Sequence, residues 1–171
     1  MTADRKLDPP RVRIRSLLKV ADGLVPVEEF TGPILDENYI EGALELSVEH
    51  KPILTREQVD YVDQLWAYLI EGLEEVVAGR EFSTYYPDMP VQLVLRPQGH
   101  RVMISVDDRK GIAEASVAID ELRIAMASAG TLFFERLRPF VPADQALCDQ
   151  YLARLAALTS GGRDSARELA R

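Results

Sequence analysis

Apolar and polar residues alternate along two early stretches of the chain. From Arg11 to Lys19, Val12, Ile14, Ser16 and Leu18 fall on one face and Arg11, Arg13, Arg15, Leu17 and Lys19 on the other. From Tyr39 to Val48, Ile40, Gly42, Leu44, Leu46 and Val48 alternate with Glu41, Ala43, Glu45 and Ser47, and Glu49 continues the second series. A period of two predicts two strands. The segment between them, Ala21 to Asn38, contains Gly23, Pro26, Gly32 and Pro33 and reads as a loop with a short extended piece at Val25–Phe30. Antiparallel pairing of the two strands would face Arg11, Arg13 and Arg15 with Glu41, Glu45 and Glu49. Such cross-strand pairs are worth roughly 0.2–1 kcal/mol each. The alternative is that the glutamates form a solvated or partner-binding edge.

The period then changes to that of a helix. Thr55-Arg56-Glu57-Gln58 has the form of a capping box. After it, Val59, Val62, Leu65, Trp66, Leu69, Ile70, Leu73, Val76 and Val77 recur at helical spacing. Asp60, Asp63, Gln64, Glu71, Glu74 and Glu75 occupy the wetter side, and Gly79 fits the position just past the end. The stretch Glu81–Pro90 reads as a loop with two adjacent tyrosines. Val91–Arg96 and Arg101–Val106 predict a hairpin turning at Pro97-Gln98-Gly99-His100, and Ile112–Ile119 predicts a third strand after Asp107–Gly111. Asp120 is placed to cap a helix over Glu121–Arg138. Pro142 opens a third helix with Leu147, Cys148, Tyr151, Leu152, Leu155 and Leu158 on its apolar stripe.

The order ββ-α-βββ-αα predicts an α+β fold: an antiparallel sheet of about five strands with helices packed on one face. Residues 10–160 are expected to form a single domain, residues 1–9 a flexible leader and residues 161–171 a frayed tail. The 171-residue length suffices for an ordinary core, and the balance of 47% hydrophobic and 28% charged residues is that of a soluble globular protein. Met1–Pro10 lacks the apolar stretch of a secretory signal, and no run approaches the roughly 20 apolar residues of a membrane span. With a single cysteine, Cys148, no intrachain disulfide framework is available, and a cytoplasmic location is the default expectation. Arginine outnumbers lysine sixteen to four, a bias seen in GC-rich bacterial coding.

Charge sharpens this picture. The formal net charge is −8, but residues 1–20 carry +4 and residues 21–80 carry −11. An acidic surface repels nucleic acid and anionic membranes and favours basic partners, although acidity also simply keeps proteins soluble. Candidate chemistry adds little. His50 and His100 fall in turns, without a cysteine or second histidine at ligand spacing, so no metal site is expected. Cys148 sits among Asp144 and Asp149, the wrong setting for a nucleophile. No phosphate loop and no hydrolase elbow is present, and neither a catalytic set nor a cofactor is expected. The tyrosine-rich loop remains as a candidate contact surface, because tyrosine beside proline supplies apolar area and a hydroxyl. With Trp66 and Tyr68 of the preceding helix, it is expected to form an aromatic cluster.

The stretches YIEGALELSV, DYVDQLWAYLIEGLEEV, STYYPDMPVQL and FFERLRPF resemble a group of small acidic bacterial proteins, mostly of unknown function, over roughly residues 38–140. Some small acidic α+β proteins of this general kind act as immunity proteins to secreted toxins. The −11 segment and the absence of a catalytic set predict a non-enzymatic module that uses an acidic surface to hold a basic protein partner; the resemblance adds an immunity-like role by analogy and implies no catalytic residue. The expected contact surface is Asp60, Asp63, Glu71, Glu74, Glu75, Tyr85, Tyr86 and Asp88. Two alternatives stand beside it: a small-molecule or enzymatic domain with a pocket near Glu81–Pro90, and an oligomeric structural protein such as a homodimer.

Overall fold

The computed structural model describes residues 10–160, so the expected leader and tail lie outside the described residues. Among the described residues, nine strands and three α-helices follow one another. They are β1 (Val12–Val20), β2 (Gly23–Pro26), β3 (Glu41–Val48), β4 (Lys51–Leu54), β5 (Asp60–Tyr61), α1 (Val62–Val77), β6 (Phe82–Tyr85), β7 (Gln92–Gln98), β8 (Arg101–Asp107), β9 (Ile112–Ala118), α2 (Ile119–Leu137) and α3 (Gln145–Ser160). The fold is α+β with antiparallel strands throughout. The strands divide between two sheets: β2-β1-β3-β4, with β5 also on β3, and the meander β6-β7-β8-β9.

The first sheet forms around the predicted pair. β1 and β3 are antiparallel, with Arg15 opposite Glu45 and Arg13 opposite Ser47. Arg11 lies 3.8 Å from Glu49, and Glu41 is held by Lys19 at 2.8 Å. Of the expected row, Arg11 pairs with Glu49; Arg15 faces Glu45 in register, but Glu45 is held by Arg56 at 3.7 Å, and Lys19 answers Glu41. Glu49 and His50, both at positive φ, form a two-residue turn from β3 into β4. That turn type twists with the strands, which is why it tolerates the uncommon backbone.

The capping box forms its local bond without starting a helix. Gln58 Oε1 accepts from the Thr55 N–H at 3.1 Å, but Asp60 and Tyr61 then pair with Gly42 and Glu41 of β3. α1 therefore begins at Val62, with no side chain capping it. Asp60, expected on the wet side of the helix, is instead a strand residue only 5% exposed. The other end agrees with the sequence. Gly79 has a φ of 79°, its N–H donates to the Val76 carbonyl, and the Arg80 N–H donates to the Glu75 carbonyl. This is the Schellman pattern.

Three further differences have simple causes. Phe82–Tyr85, expected as loop, pairs with Leu95–Gln92 as the edge strand β6. Pro97 belongs to β7, opposite Val102, and lies past the end of β6, where its missing N–H is not needed. The turn itself is Gly99-His100, with Gly99 at a φ of 64°. Asp120 lies inside the first turn of α2, where it holds Arg123, and does not cap the helix.

One core serves both sheets. Ile14, Leu44, Leu46 and Leu54 of the first sheet converge with Leu93, Leu95 and Ile104 of the second. Leu69 of α1 and Leu122 and Met126 of α2 fill the space between them. Trp66 is fully buried against Phe133, and its Nε1 donates to Ser16 Oγ at 3.0 Å. Lys51 Nζ donates to the Glu114 carbonyl at 2.6 Å and ties β4 to β9. No helix of the described residues is long and apolar enough to cross a membrane.

Candidate functional site

The start of α1 is anchored by the Val62 N–H, which donates to the Ile40 carbonyl at 2.9 Å. This anchor turns Asp63, Gln64, Ala67 and Tyr68, which share one helix face, towards the end of α2 and the start of α3. Phe134 and Leu137 come from α2, Val141 and Asp144 from the connection, and Leu147, Cys148 and Tyr151 from α3. Together they line a cleft of about 210 Å³. Phe134 and Tyr151 stack at 4.9 Å and form an aromatic wall. Arg154 lies 5.8 Å over the Tyr151 ring and binds Glu74 through two hydrogen bonds, at 2.9 and 2.7 Å, which locks α3 to α1.

The cleft is negative. Asp63 and Asp144 line it, and among the described residues no lysine, arginine or histidine does. Burial raises the Asp63 carboxyl above the usual carboxylate range, and the charge of Asp144 adds to this. The Gln64 N–H acts in the opposite direction but does not win. One carboxylate oxygen, Oδ1, is out of contact with solvent and has no hydrogen-bond partner. An aspartate in the first turn of a helix is ordinarily stabilised there. Its net destabilisation shows how much desolvation it carries.

Cys148 is buried at the edge of this cleft. Burial, Asp144 and Asp149 push its thiol pKa up, and Arg138 only partly opposes them. A thiol held protonated, with no histidine in the lining, is a packing group and not an activated nucleophile.

Of the residues expected at the contact surface, Asp63 alone lines this cleft. Glu74 and Glu75 are already bound, by Arg154 and Arg80 respectively. Glu71 is exposed. Asp60 accepts from the Asp88 N–H at 3.0–3.1 Å and from the Tyr61 N–H, so it is an internal brace for the tyrosine loop. Tyr86 is buried beside it and Tyr85 is 58% exposed. The expected cluster of Trp66 and Tyr68 with this loop does not form: Trp66 packs on Phe133, and Tyr68 faces the cleft. No residue of Glu81–Pro90 lines the cleft.

Asp144, Phe134 and Tyr151 were missed as site residues. The sequence signal available was the helical spacing of Leu147, Cys148 and Tyr151, which reads equally as core. Leu147, expected on the apolar stripe, is in fact 43% exposed at the cleft. Among the described residues, no group of three or more His, Cys, Asp and Glu side chains is placed to hold a metal ion.

No family model matches the chain, and neither the curated proteins nor the solved structures give a match. The reading of the site therefore rests on its own chemistry.

Proposed function

We propose that this protein is a non-enzymatic binding module whose cleft between α1, α2 and α3 receives one lysine or arginine side chain of a basic protein partner. The observation that carries this reading is a concave apolar site with two carboxylates and no cation in its lining. An ammonium or guanidinium would answer the charge of Asp63 and Asp144, while its carbon stem would lie against Phe134 and Tyr151. The size favours a side chain: about 210 Å³ is below the roughly 300–1,000 Å³ of ordinary small-molecule pockets. The chain's net charge of −8 would speed the approach of a basic partner and make it salt-sensitive. An immunity-like role, towards a basic toxin, is one form this binding would take.

Zero-length carboxyl-to-amine coupling in a cell extract, followed by peptide mapping, tests the reading. The expected product joins Asp63 or Asp144 to a lysine of a basic protein, forms less at high salt, and disappears in Asp63→Asn/Asp144→Asn. A partner captured equally by the double variant would refute it.

A further inference from the structure

The outer face of the first sheet carries a second hollow, of opposite charge. Arg13 and Arg15 stand two positions apart on β1, so both side chains leave the same face, about 7 Å apart along the strand. Their neighbours across the ladder are Ser47 and Glu45 of β3, and Arg56 enters from the turn after β4. The three arginines, with Ser47, Thr55 and Pro52, line a hollow of about 360 Å³. Among the described residues Glu45 is its single acidic residue, and its carboxylate lies 3.7 Å from Arg56. Among the described residues, Arg13 and Arg15 have no carboxylate within 4.0 Å.

This arrangement runs against the rest of the molecule. Aspartates and glutamates outnumber lysines and arginines by 28 to 20, and Arg80, Arg96, Arg138 and Arg154 each hold a carboxylate through two hydrogen bonds. Three guanidinium groups around one hollow with one carboxylate leave a local charge of about +2, which an oxyanion would neutralise. Guanidinium forks match the geometry of phosphate and carboxylate oxygens. The charge decides between the two: a phosphate monoester carries about −1.5 to −2 near neutrality, a carboxylate −1. Leu46, Pro52 and Leu54 add apolar side chains to the lining, and the hollow's volume suits a small organic group.

We propose that Arg13, Arg15 and Arg56 form a binding site for the phosphate monoester of a small organic molecule, separate from the carboxylate cleft. The site takes the phosphate between the guanidinium groups, and the organic part lies over Pro52. NMR titrations at low salt with phenyl phosphate, inorganic phosphate and benzoate test this. The expected result is saturable binding in the order phenyl phosphate, inorganic phosphate, benzoate, with shifts at the amides of Ser47 and Thr55. Arg13→Gln and Arg15→Gln, both at exposed positions, should each weaken phenyl phosphate at least about 5-fold without changing the thermal melt. Arg136→Gln, outside the hollow, should leave binding unchanged. Three results would overturn the proposal: no saturable binding, benzoate binding as tightly as phenyl phosphate, or equal affinity of the Arg13 and Arg15 variants and the parent protein.

Discussion

Asp63→Asn should stabilise the protein at neutral pH, by an amount that shrinks as the solution is acidified. The buried oxygen Oδ1 has no partner, and desolvation is the largest influence on this carboxyl. Leaving a buried polar group unpaired costs about 1–3 kcal/mol, more when it is charged. Against this, the first turn of α1 returns about 0.3–1 kcal/mol to a negative side chain. The net penalty on the charged form is then about 1–2 kcal/mol; asparagine still leaves an unpaired polar atom there but removes the part due to charge, about 1 kcal/mol, at nearly unchanged shape. The sign follows from linkage. A carboxyl whose folded pKa is raised holds its proton more tightly in the native state than in the unfolded chain. Below the unfolded value, about 3.9, both states are protonated and no penalty exists. As pH rises from there through the folded pKa, the penalty grows, and it is complete above it. Urea denaturation of parent and variant from pH 3.5 to 7 gives the difference directly. The variant should gain about 1 kcal/mol at pH 7, a rise in melting temperature of about 2–4 °C, and almost nothing at pH 3.5. A gain independent of pH, or a loss at pH 7, would refute the account of Asp63.

Other substitutions probe the frame that holds the cleft. Gly42→Ala should cost about 3 kcal/mol or more, because a Cβ there would enter the Leu17 carbonyl oxygen and sit 2.8 Å from Val62 Cγ1; a loss below about 1 kcal/mol in urea would show that β1 and β3 can part easily. Arg123 is 8% exposed and donates to the Leu158 carbonyl at 2.6 Å and to Asp120. Arg123→Met should therefore cost about 1.5–3 kcal/mol and speed amide exchange in the last turn of α3 more than in α1; equal effects on both helices would contradict this. His50 holds a φ of 70° in the β3–β4 turn, so His50→Gly should add about 0.5–1 kcal/mol in thermal melts after the entropy cost of glycine; a loss of stability would argue against strain at that turn.

The parts of the fold legible in the sequence were those with long, clean periods. β1, β3 and the body of α1 followed from alternation and helical spacing, and Gly79 marked the helix end. Short strands were hidden. Lys51–Leu54 is four residues with an internal proline, and Phe82–Tyr85 shows its inward side chain only once β7 is beside it. The start of α1 was misplaced because a local capping box competes with pairing to β3, and the tertiary contact prevails for Asp60 and Tyr61. The division into two sheets depends on how α1 and α2 sit between them, which no local pattern records.

The candidate site was legible at one residue. Asp63 was visible as an acid on α1, but its burial depends on α3, more than 80 positions away. The same distance hid the partner of Glu74, since Arg154 comes from α3. Glu74 and Glu75 of the acidic helix face are therefore held by arginines, Glu71 is exposed, and Asp63 alone faces the cleft. Asp144 carried no pattern at all. It belongs to a short connection marked in the sequence by Pro139 and Pro142.

Titration of the protein with N-acetyl-lysine methylamide, and with its norleucine counterpart, tests the cation-binding cleft most directly. The two ligands share a carbon stem and differ in the ammonium group. The account predicts saturable amide shifts at Asp63–Tyr68 and Leu147–Tyr151 for the lysine ligand alone, weaker at high salt and absent in Asp63→Asn/Asp144→Asn. Equal shifts from the norleucine ligand, or lysine binding retained in the double variant, would contradict it.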